Sequence, residues 1–308
     1  MKLQQLRYFC QVVKHDFNIS SAAQAIYTSQ PGVSKQLKLL EQELGVELFV
    51  RNNGRIVGLS EAGVELHEEA QRVLMSAAQL HEVARNFTDT EAGRLTVATT
   101  HLHARYSLLP VIKRFAVKYP KVQLDLIQTS PAEIDALLTE GAADIGISTG
   151  SNNPSEDLIM LKSQPLYRCL IAPQGHPILA IARPSLKQIA GYPLIVYSSQ
   201  LSSGWLVKEA FESAGVQTRI VLTALDADVI KAYVAAGLGI AIIQRLAYDP
   251  QKDVELGAVD VTHLVRPVYS LLILNRAKYL RRYMFDFIQA FEPKWKASAV
   301  RRALAAHR

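Results

Sequence analysis

Two helical runs separated by a short, tightly specified break constrain the start of this chain more than any other feature. Before the break, Ala22, Ala23 and Ile26 share one helical face, with Asn18 or Ser20 placed to cap it. After it, Val33, Leu37, Leu40 and Leu44 line one face of a helix from about Gln30 to Leu44, which Gly45 ends. The break is Tyr27-Thr28-Ser29-Gln30-Pro31-Gly32. Ser29 suits an N-cap, and Pro31 is tolerated in the first turn, where the N–H it lacks would have no intrahelical partner. An earlier stripe of Leu6, Phe9, Cys10 and Val13 supplies one more helix. Three short helices with a tight turn before the third predict a helix-turn-helix.

The exposed face of the third helix carries Thr28, Ser29, Gln30, Pro31, Ser34, Lys35 and Lys38 at its N-terminal end. Short hydroxyls, an amide and two cations are groups that reach base edges or phosphates when a helix enters a major groove. The helix N-terminus adds unpaired N–H donors and partial positive charge for a phosphate. Leu48 and Phe49 would close the core beyond it. Arg51-Asn52-Asn53-Gly54-Arg55 reads as a hairpin tip, because Asn-Gly is a strong turn signal, so Arg51 and Arg55 form a basic wing. Each residue alone reads more readily as solvated surface; their assembly in one unit favours DNA.

Charge is unevenly spread over the 308 residues, whose net is +6. Residues 1–60 hold seven Lys/Arg against four Asp/Glu, residues 61–270 eighteen against twenty-two, and residues 271–308 nine against two. The body is acidic and both ends are basic, which suits a polyanion at an end. With 49% hydrophobic residues the chain can bury a proper core, which excludes a disordered or fibrous protein. No apolar run approaches the roughly 20 residues of a membrane span. The opening MKLQQLRYFCQVVKHD carries charges through its apolar positions and is not expected to act as a signal peptide. Two cysteines, Cys10 and Cys169, make no disulfide framework or structural zinc site, so a cytoplasmic location is expected.

From Ser60 onward, Leu66, Ala70, Val73, Ala77, Leu80, Ala84 and Phe87 step by four and three, a heptad-like seam. Such a seam packs on the following half of the chain or on a partner helix, which would make a dimer through Leu66, Val73, Leu80 and Phe87. Thr88 to Arg94 reads as a hinge. Beyond it, short β-rich runs alternate with helices: 95–98, 108–119, 122–127, 131–140 and 144–148, then 167–172, 194–197, 203–214, 220–223, 226–236 and 240–243. Tyr269 to Leu274 returns to the first set. The alternation predicts two α/β lobes built on parallel sheet, with a ligand cleft at the carboxyl ends of the strands.

The best effector candidates are Thr99, Thr100, His101, Leu102 and His103 after the first strand, facing Thr149, Ser202 and Thr223 at later strand ends. Each hydroxyl alone reads as a helix cap. Their recurrence at successive strand ends suits a small anion held by hydroxyls and backbone N–H groups. There is no P-loop, no complete G-x-G-x-x-G, no H-E-x-x-H and no G-x-S-x-G, so no enzyme, catalytic residue, metal site or cofactor is expected. His101 and His103 would point opposite ways if extended and find no third metal ligand. The tail offers Arg281, Arg282, Lys294, Lys296, Arg301 and Arg302, most simply a solvated face, while Tyr283, Phe287 and Phe291 share a helical face that would dock.

Residues 21–51, SAAQAIYTSQPGVSKQLKLLEQELGVELFVR, resemble the winged helix-turn-helix of LysR-type transcriptional regulators. The opening MKLQQLRYF, the tyrosine before TSQPGVSKQ, and later ATTHLHARY and DADVIKAYVAAGLG resemble the CysB-like subgroup, which controls sulfur or organosulfur assimilation. The resemblance spans essentially the whole chain. It implies a multi-domain fold: a mainly α winged helix-turn-helix over 1–59, a linker and dimerisation helix over 60–88, and a two-lobed α/β effector domain over 89–308 resembling periplasmic-binding proteins. Lobe I would take about 93–165 and 268–292, lobe II about 166–267, and a basic tail 293–308.

The resemblance further implies double-stranded promoter DNA, a homo-oligomer (a dimer of dimers, hence a homotetramer) and RNA polymerase as partners, with no membrane. It places a small anionic effector such as sulfate, thiosulfate, acetylserine or adenosine phosphosulfate against Thr100, Thr149 and Ser202. Leu102 and His103 depart from the threonine and glutamine of CysB, which changes the hydrogen bonds available to a ligand. The competing readings are a cytoplasmic small-molecule-binding protein and a LysR-type regulator of an unrelated pathway.

Overall fold

A computed structural model describes residues 1–88, 92–150, 155–198 and 202–306, apart from the side chains of 81, 82, 85–88, 202 and 203. The chain divides into two compact units, Met1–Thr88 and Asp89–Arg308. Of the expected hinge at 88–94, residues 89–91 lie outside the described residues. Among the described residues, no helix is long and apolar enough to cross a membrane.

The first unit contains α1 (Leu3–Lys14), α2 (Ile19–Ala25), α3 (Gln30–Leu44), β1 (Phe49–Asn52), β2 (Arg55–Leu59) and α4 (Glu61–Thr88). Asn18 caps α2, accepting from Ser21 N at 3.0 Å, and Ser29 caps α3, accepting from Gly32 N. Gly45 ends α3 with φ of +72°, a left-handed conformation that glycine adopts without steric cost. The apolar stripes meet in one core of Leu6, Phe9, Val12, Ala22, Ala23, Val33, Leu37, Leu40, Leu48 and Phe49. Phe9 meets Phe49 edge to face at 5.4 Å. β1 and β2 pair antiparallel around Asn53 and Gly54, both at positive φ, which makes the wing.

The heptad-like seam of α4 does not serve one purpose along its length. Ala70 is buried in the three-helix core, and Leu66 and Leu74 pack against it. Leu66, expected at a dimer seam, is thus drawn on by its own domain, because the first turns of α4 close the core below α1. Val73 and Leu80 stay 40% and 74% exposed. The side chain of Phe87 lies outside the described residues.

The second unit runs β3 (Gly93–Thr99), α5 (Leu108–Lys118), β4 (Val122–Gln128), α6 (Pro131–Thr139), β5 (Ile145–Ser148) and β6 (Leu158–Leu166) in lobe I. Lobe II follows with β7 (Arg168–Pro173), α7 (Leu186–Ala190), β8 (Leu194–Tyr197), α8 (Ser202–Ser213), β9 (Ile220–Ala224), α9 (Ala227–Ala235), β10 (Ala241–Gln244) and β11 (Leu256–Asp260). The chain then returns to lobe I with β12 (Val268–Asn275), α10 (Arg282–Phe291) and α11 (Ala297–Ala305).

The sheets are mixed rather than all parallel. Lobe I has the order β4-β3-β5-β12-β6, with β3, β4 and β5 parallel and β12 antiparallel to both β5 and β6. The return strand β12 inserts between β5 and the edge strand β6 and runs against both. Lobe II pairs β10-β7-β11 antiparallel and β8-β9 parallel. Strand alternation sends Leu95, Val97, Ile145 and Ile147 to the side covered by α5 and α10, and Ala98 and Ile273 to the side covered by α6.

The tail beyond residue 292 is docked as well. Val300 is fully buried, with Trp295, Ala297 and Leu304 packed on the lobe I core, and Trp295 Nε1 donates to the Lys162 carbonyl at 3.0 Å. Arg282, Lys294, Lys296, Arg301 and Arg302 lie on the surface, but Arg281 is 1% exposed and is not part of a solvated face.

Candidate DNA-reading helix and effector cleft

Placing α3 by its buried stripe leaves its N-terminal end outward. Ser29, Gln30, Pro31, Lys35 and Lys38 are exposed, and Thr28 and Ser34 half-buried. Gln30 Nε2 donates to Ser34 Oγ at 3.1 Å, which orients both polar groups along one edge. Tyr27, at positive φ in the turn, is 99% exposed. The two wing arginines differ. Arg55 is exposed on β2. Arg51 is tied back, its Nη2 donating to Glu41 Oε2 at 2.7 Å, while Glu41 Oε1 accepts the Leu48 N–H at 2.9 Å. Arg51 therefore braces the wing against α3 in the described structure, which its sequence position did not disclose.

In the second unit, the carboxyl ends of the strands surround a cavity of 330 Å³. Thr100, His101 and Leu102 follow β3, Gln128 ends β4 and Thr129 to Pro131 follow it, Thr149 follows β5, Tyr197 ends β8, Leu225 to Ala227 follow β9, and Gln244 ends β10. Two helix N-termini border it: α6, capped by Ser130 in a reciprocal pair with Glu133, and α9, capped by Asp226, which accepts from Val229 N at 2.8 Å. Hydroxyls, amides and helix N-termini bind oxyanions well. The Thr100 hydroxyl is buried without a hydrogen-bond partner.

Four expected effector residues, Thr100, His101, Leu102 and Thr149, line this cleft. Thr99 does not: it is fully buried, and its Oγ1 donates to the Ile147 carbonyl at 2.9 Å, inside the sheet. His103 does not either. The chain turns helical after Thr100, which rotates His103 into the interior, with Nδ1 3.1 Å from Ser107 Oγ and its ring edge-on to Phe291. Burial pulls its pKa down to about 4, so it is neutral at pH 7. Thr223 sits exposed on the edge strand β9, and the chain reaches the cleft only two residues later. The side chain of Ser202 and residues 199–201 lie outside the described residues.

Gln128, Thr129, Ser130, Tyr197 and Gln244 were missed by sequence reasoning, although the strand-end rule applied to β4 and β10 points to four of them. Asp228 was also missed. It accepts the Tyr106 hydroxyl at 2.6 Å and lies 3.2 Å from His101 Nε2 and 3.5 Å from Arg105 Nε. His101, Arg105 and Tyr106 belong to lobe I and Asp228 to α9 of lobe II, so one carboxylate bridges the lobes. Leu102 and Tyr106 also pack on the lobe II core.

His101, Asp226 and Asp228 offer ligand atoms within 4.8 Å of one another, so the imidazole does find acidic neighbours that its local sequence did not announce. Arg105 and Lys231, each 3.5 Å from Asp228, would oppose a cation there, and Asp226 already serves as a cap. The geometry reads as an ion-pair hub.

An outward-facing helix-turn-helix joined in one chain to a two-lobed unit with a ligand cleft defines a DNA-binding regulator that answers to a small molecule. Residues 3–64 match the model of the bacterial regulatory helix-turn-helix protein, lysR family, and residues 88–296 that of the LysR substrate binding domain. The chain is 41% identical over 293 residues to the HTH-type transcriptional regulator SsuR of Burkholderia cenocepacia, covering 95% of each. It is 38% identical over 303 residues to CysB of Haemophilus influenzae, covering 98% of this chain and 94% of that one. The cofactor-binding domain of the Cbl transcriptional regulator superposes with a TM-score of 0.65 at 38% identity, over 70% of this chain and 94% of that one. Full-length OxyR from Pseudomonas aeruginosa shares the fold, with a TM-score of 0.69 at 20% identity over 96% and 98% of the two chains. The chain belongs to the LysR family of transcriptional regulators, in its CysB-like branch.

Proposed function

We propose that this regulator controls genes of sulfur or organosulfur assimilation and that its cleft binds a small sulfur-bearing anion, among sulfate, thiosulfate and adenosine phosphosulfate, or acetylserine. The observation that carries the ligand reading is the Thr100 hydroxyl, buried at a strand end without a partner beside the capped N-termini of α6 and α9. A buried polar group left unpaired costs roughly 1–3 kcal/mol, and a bound oxygen would remove that cost. Kinship with SsuR, CysB and Cbl supports the sulfur assignment.

The protein works in the cytoplasm as a homotetramer, a dimer of dimers built in part through the exposed Val73 and Leu80 of α4. It binds double-stranded promoter DNA through Thr28, Ser29, Gln30, Pro31, Ser34, Lys35, Lys38 and Arg55, needs no cofactor, catalyses no reaction, and acts on RNA polymerase. Effector binding changes how the lobes close, and only a ligand with different affinity for the two arrangements produces that switch. Calorimetric titration of the full chain with the four candidates is the test. At least one is expected to bind, and Thr100→Ala is expected to weaken it about tenfold, the worth of one hydrogen bond of about 1.4 kcal/mol. Equal affinity in the variant would place the effector elsewhere.

A further inference from the structure

Among the described residues, the cleft lining contains no lysine or arginine, and His101 is its one basic side chain. A cation lies beside the lining instead. Arg168, the first residue of β7, is 1% exposed. Its Nη1 donates to the Arg266 carbonyl at 2.8 Å, while Nη2 is buried without a hydrogen-bond partner. Among the described residues no carboxylate acts on its charge. Burial lowers its pKa only to about 10, so the guanidinium stays charged at neutral pH. A buried cation without a carboxylate costs several kcal/mol, and native proteins rarely tolerate one without a use.

Arg168 is placed next to the cleft by strand register. In the antiparallel pair of β10 and β7, Arg168 stands directly opposite Gln244, which lines the cleft. Residues directly opposite in such a pair carry their side chains on the same face, about 5 Å apart. Tyr197 also lines the cleft, and its hydroxyl is buried without a hydrogen-bond partner, as is that of Thr100. The hydroxyls of Thr100, just after β3, and of Tyr197, at the end of β8, thus lie unmatched in the cavity lining, and the Arg168 Nη2 lies unmatched behind that lining, opposite Gln244. A single molecule rich in acceptor oxygens and carrying negative charge would satisfy all three.

We propose that Arg168, seated behind the lining, is the anion-selecting residue of the cleft: its unpartnered Nη2 and its charge, with the hydroxyls of Thr100 and Tyr197, favour a dianionic oxyanion over a neutral or zwitterionic molecule of similar size. The proposal rests on the reading that the effector occupies this cleft, and it narrows the class of that effector. Nη1 meanwhile holds the Arg266 carbonyl in the segment leading from β11 back to β12 and lobe I. One guanidinium therefore joins the ligand site to the connection between the lobes.

The test titrates the full chain with sodium sulfate, sodium thiosulfate, acetylserine and dimethyl sulfone, the last a neutral molecule shaped like sulfate. The wild type is expected to bind a dianion and to prefer sulfate to dimethyl sulfone by at least about tenfold. Arg168→Met is expected to lose that preference, and Arg168→Lys, which keeps the charge but not the fork, to retain the preference with weaker binding. A folded Arg168→Met chain that binds sulfate as tightly as the wild type overturns the assignment. So does equal affinity of the wild type for sulfate and dimethyl sulfone, a comparison that needs no variant. A wild type that binds none of the four instead removes the effector reading on which the proposal stands.

Discussion

Asp228→Ala is the substitution whose effect follows most directly from the geometry of the cleft. The carboxylate accepts the Tyr106 hydroxyl at 2.6 Å and draws in His101 and Arg105, all three from the opposite lobe. A hydrogen bond to a charged group contributes roughly 1.5–3 kcal/mol, and the lower end applies because Asp228 is 38% exposed. The Arg105 ion pair, with Arg105 59% exposed, and the His101 contact, with His101 40% exposed, add roughly 0–1 kcal/mol each. Together they give about 2 kcal/mol, or about a thirty-fold shift from the bridged towards the open arrangement.

Energy transfer between a dye on each lobe of the full chain reads that shift, and effector affinity is expected to fall with it. Burial raises the pKa of Asp228, but hydrogen bonds from Tyr106 and His101 and the charges of Lys231 and Arg105 prevail and hold it below the usual carboxylate range. The bridge is therefore intact above the ordinary pKa of about 4 and is lost as pH falls through the lowered value. Asp228 itself stays ionised between pH 5 and pH 8, so its own titration does not alter the wild-type transfer signal in that range. A variant with unchanged transfer efficiency and unchanged effector affinity would refute the bridging role.

Gly63→Ala is expected to destabilise the DNA-binding unit by about 1–3 kcal/mol, because a Cβ there would stand 2.0 Å from the Leu48 carbonyl oxygen and force α4 off the core. Scanning calorimetry reads this as a lower melting temperature, and an unaltered one would contradict the packing. Lys35→Ala is expected to weaken promoter binding and reduce the salt dependence by about one phosphate contact, a slope change of about 0.9, while effector affinity stays the same. Undiminished promoter affinity would remove Lys35 from the DNA surface.

Much of the first unit was legible in the sequence because local rules and global packing agree there. Caps at Asn18 and Ser29, the stop at Gly45 and the turn at Asn53-Gly54 each determine backbone conformation within a few residues. The α/β alternation of the second unit was legible for the same reason. β6 was not, since Lys162, Ser163 and Pro165 interrupt its apolar pattern and only pairing along β12 makes it a strand. β11 and α11 likewise owe their places to tertiary partners.

In the cleft, polar residues at strand ends could be found from sequence, but the direction of each side chain could not. Thr99 and Thr100 are adjacent, yet one is tied inside the sheet and the other opens on the cavity. His103 was misplaced because the chain coils where an extended strand end was expected. Arg168, in the apolar run Tyr167-Arg168-Cys169-Leu170-Ile171-Ala172, gave no hint of burial, since nothing local says which face of β7 is covered. The bridge through Asp228 joins residues more than a hundred positions apart, beyond the reach of any spacing rule.

The most direct test of an anion-responsive DNA-binding regulator is a footprint of the full chain on the promoter of a sulfur-assimilation gene, taken with and without the anion that calorimetry identifies. The expected result is a protected site whose extent or bend changes when the anion is added, with that change lost in Thr100→Ala while protection without anion persists. A footprint that ignores the anion, or no sequence-specific protection at moderate salt, would contradict the assignment.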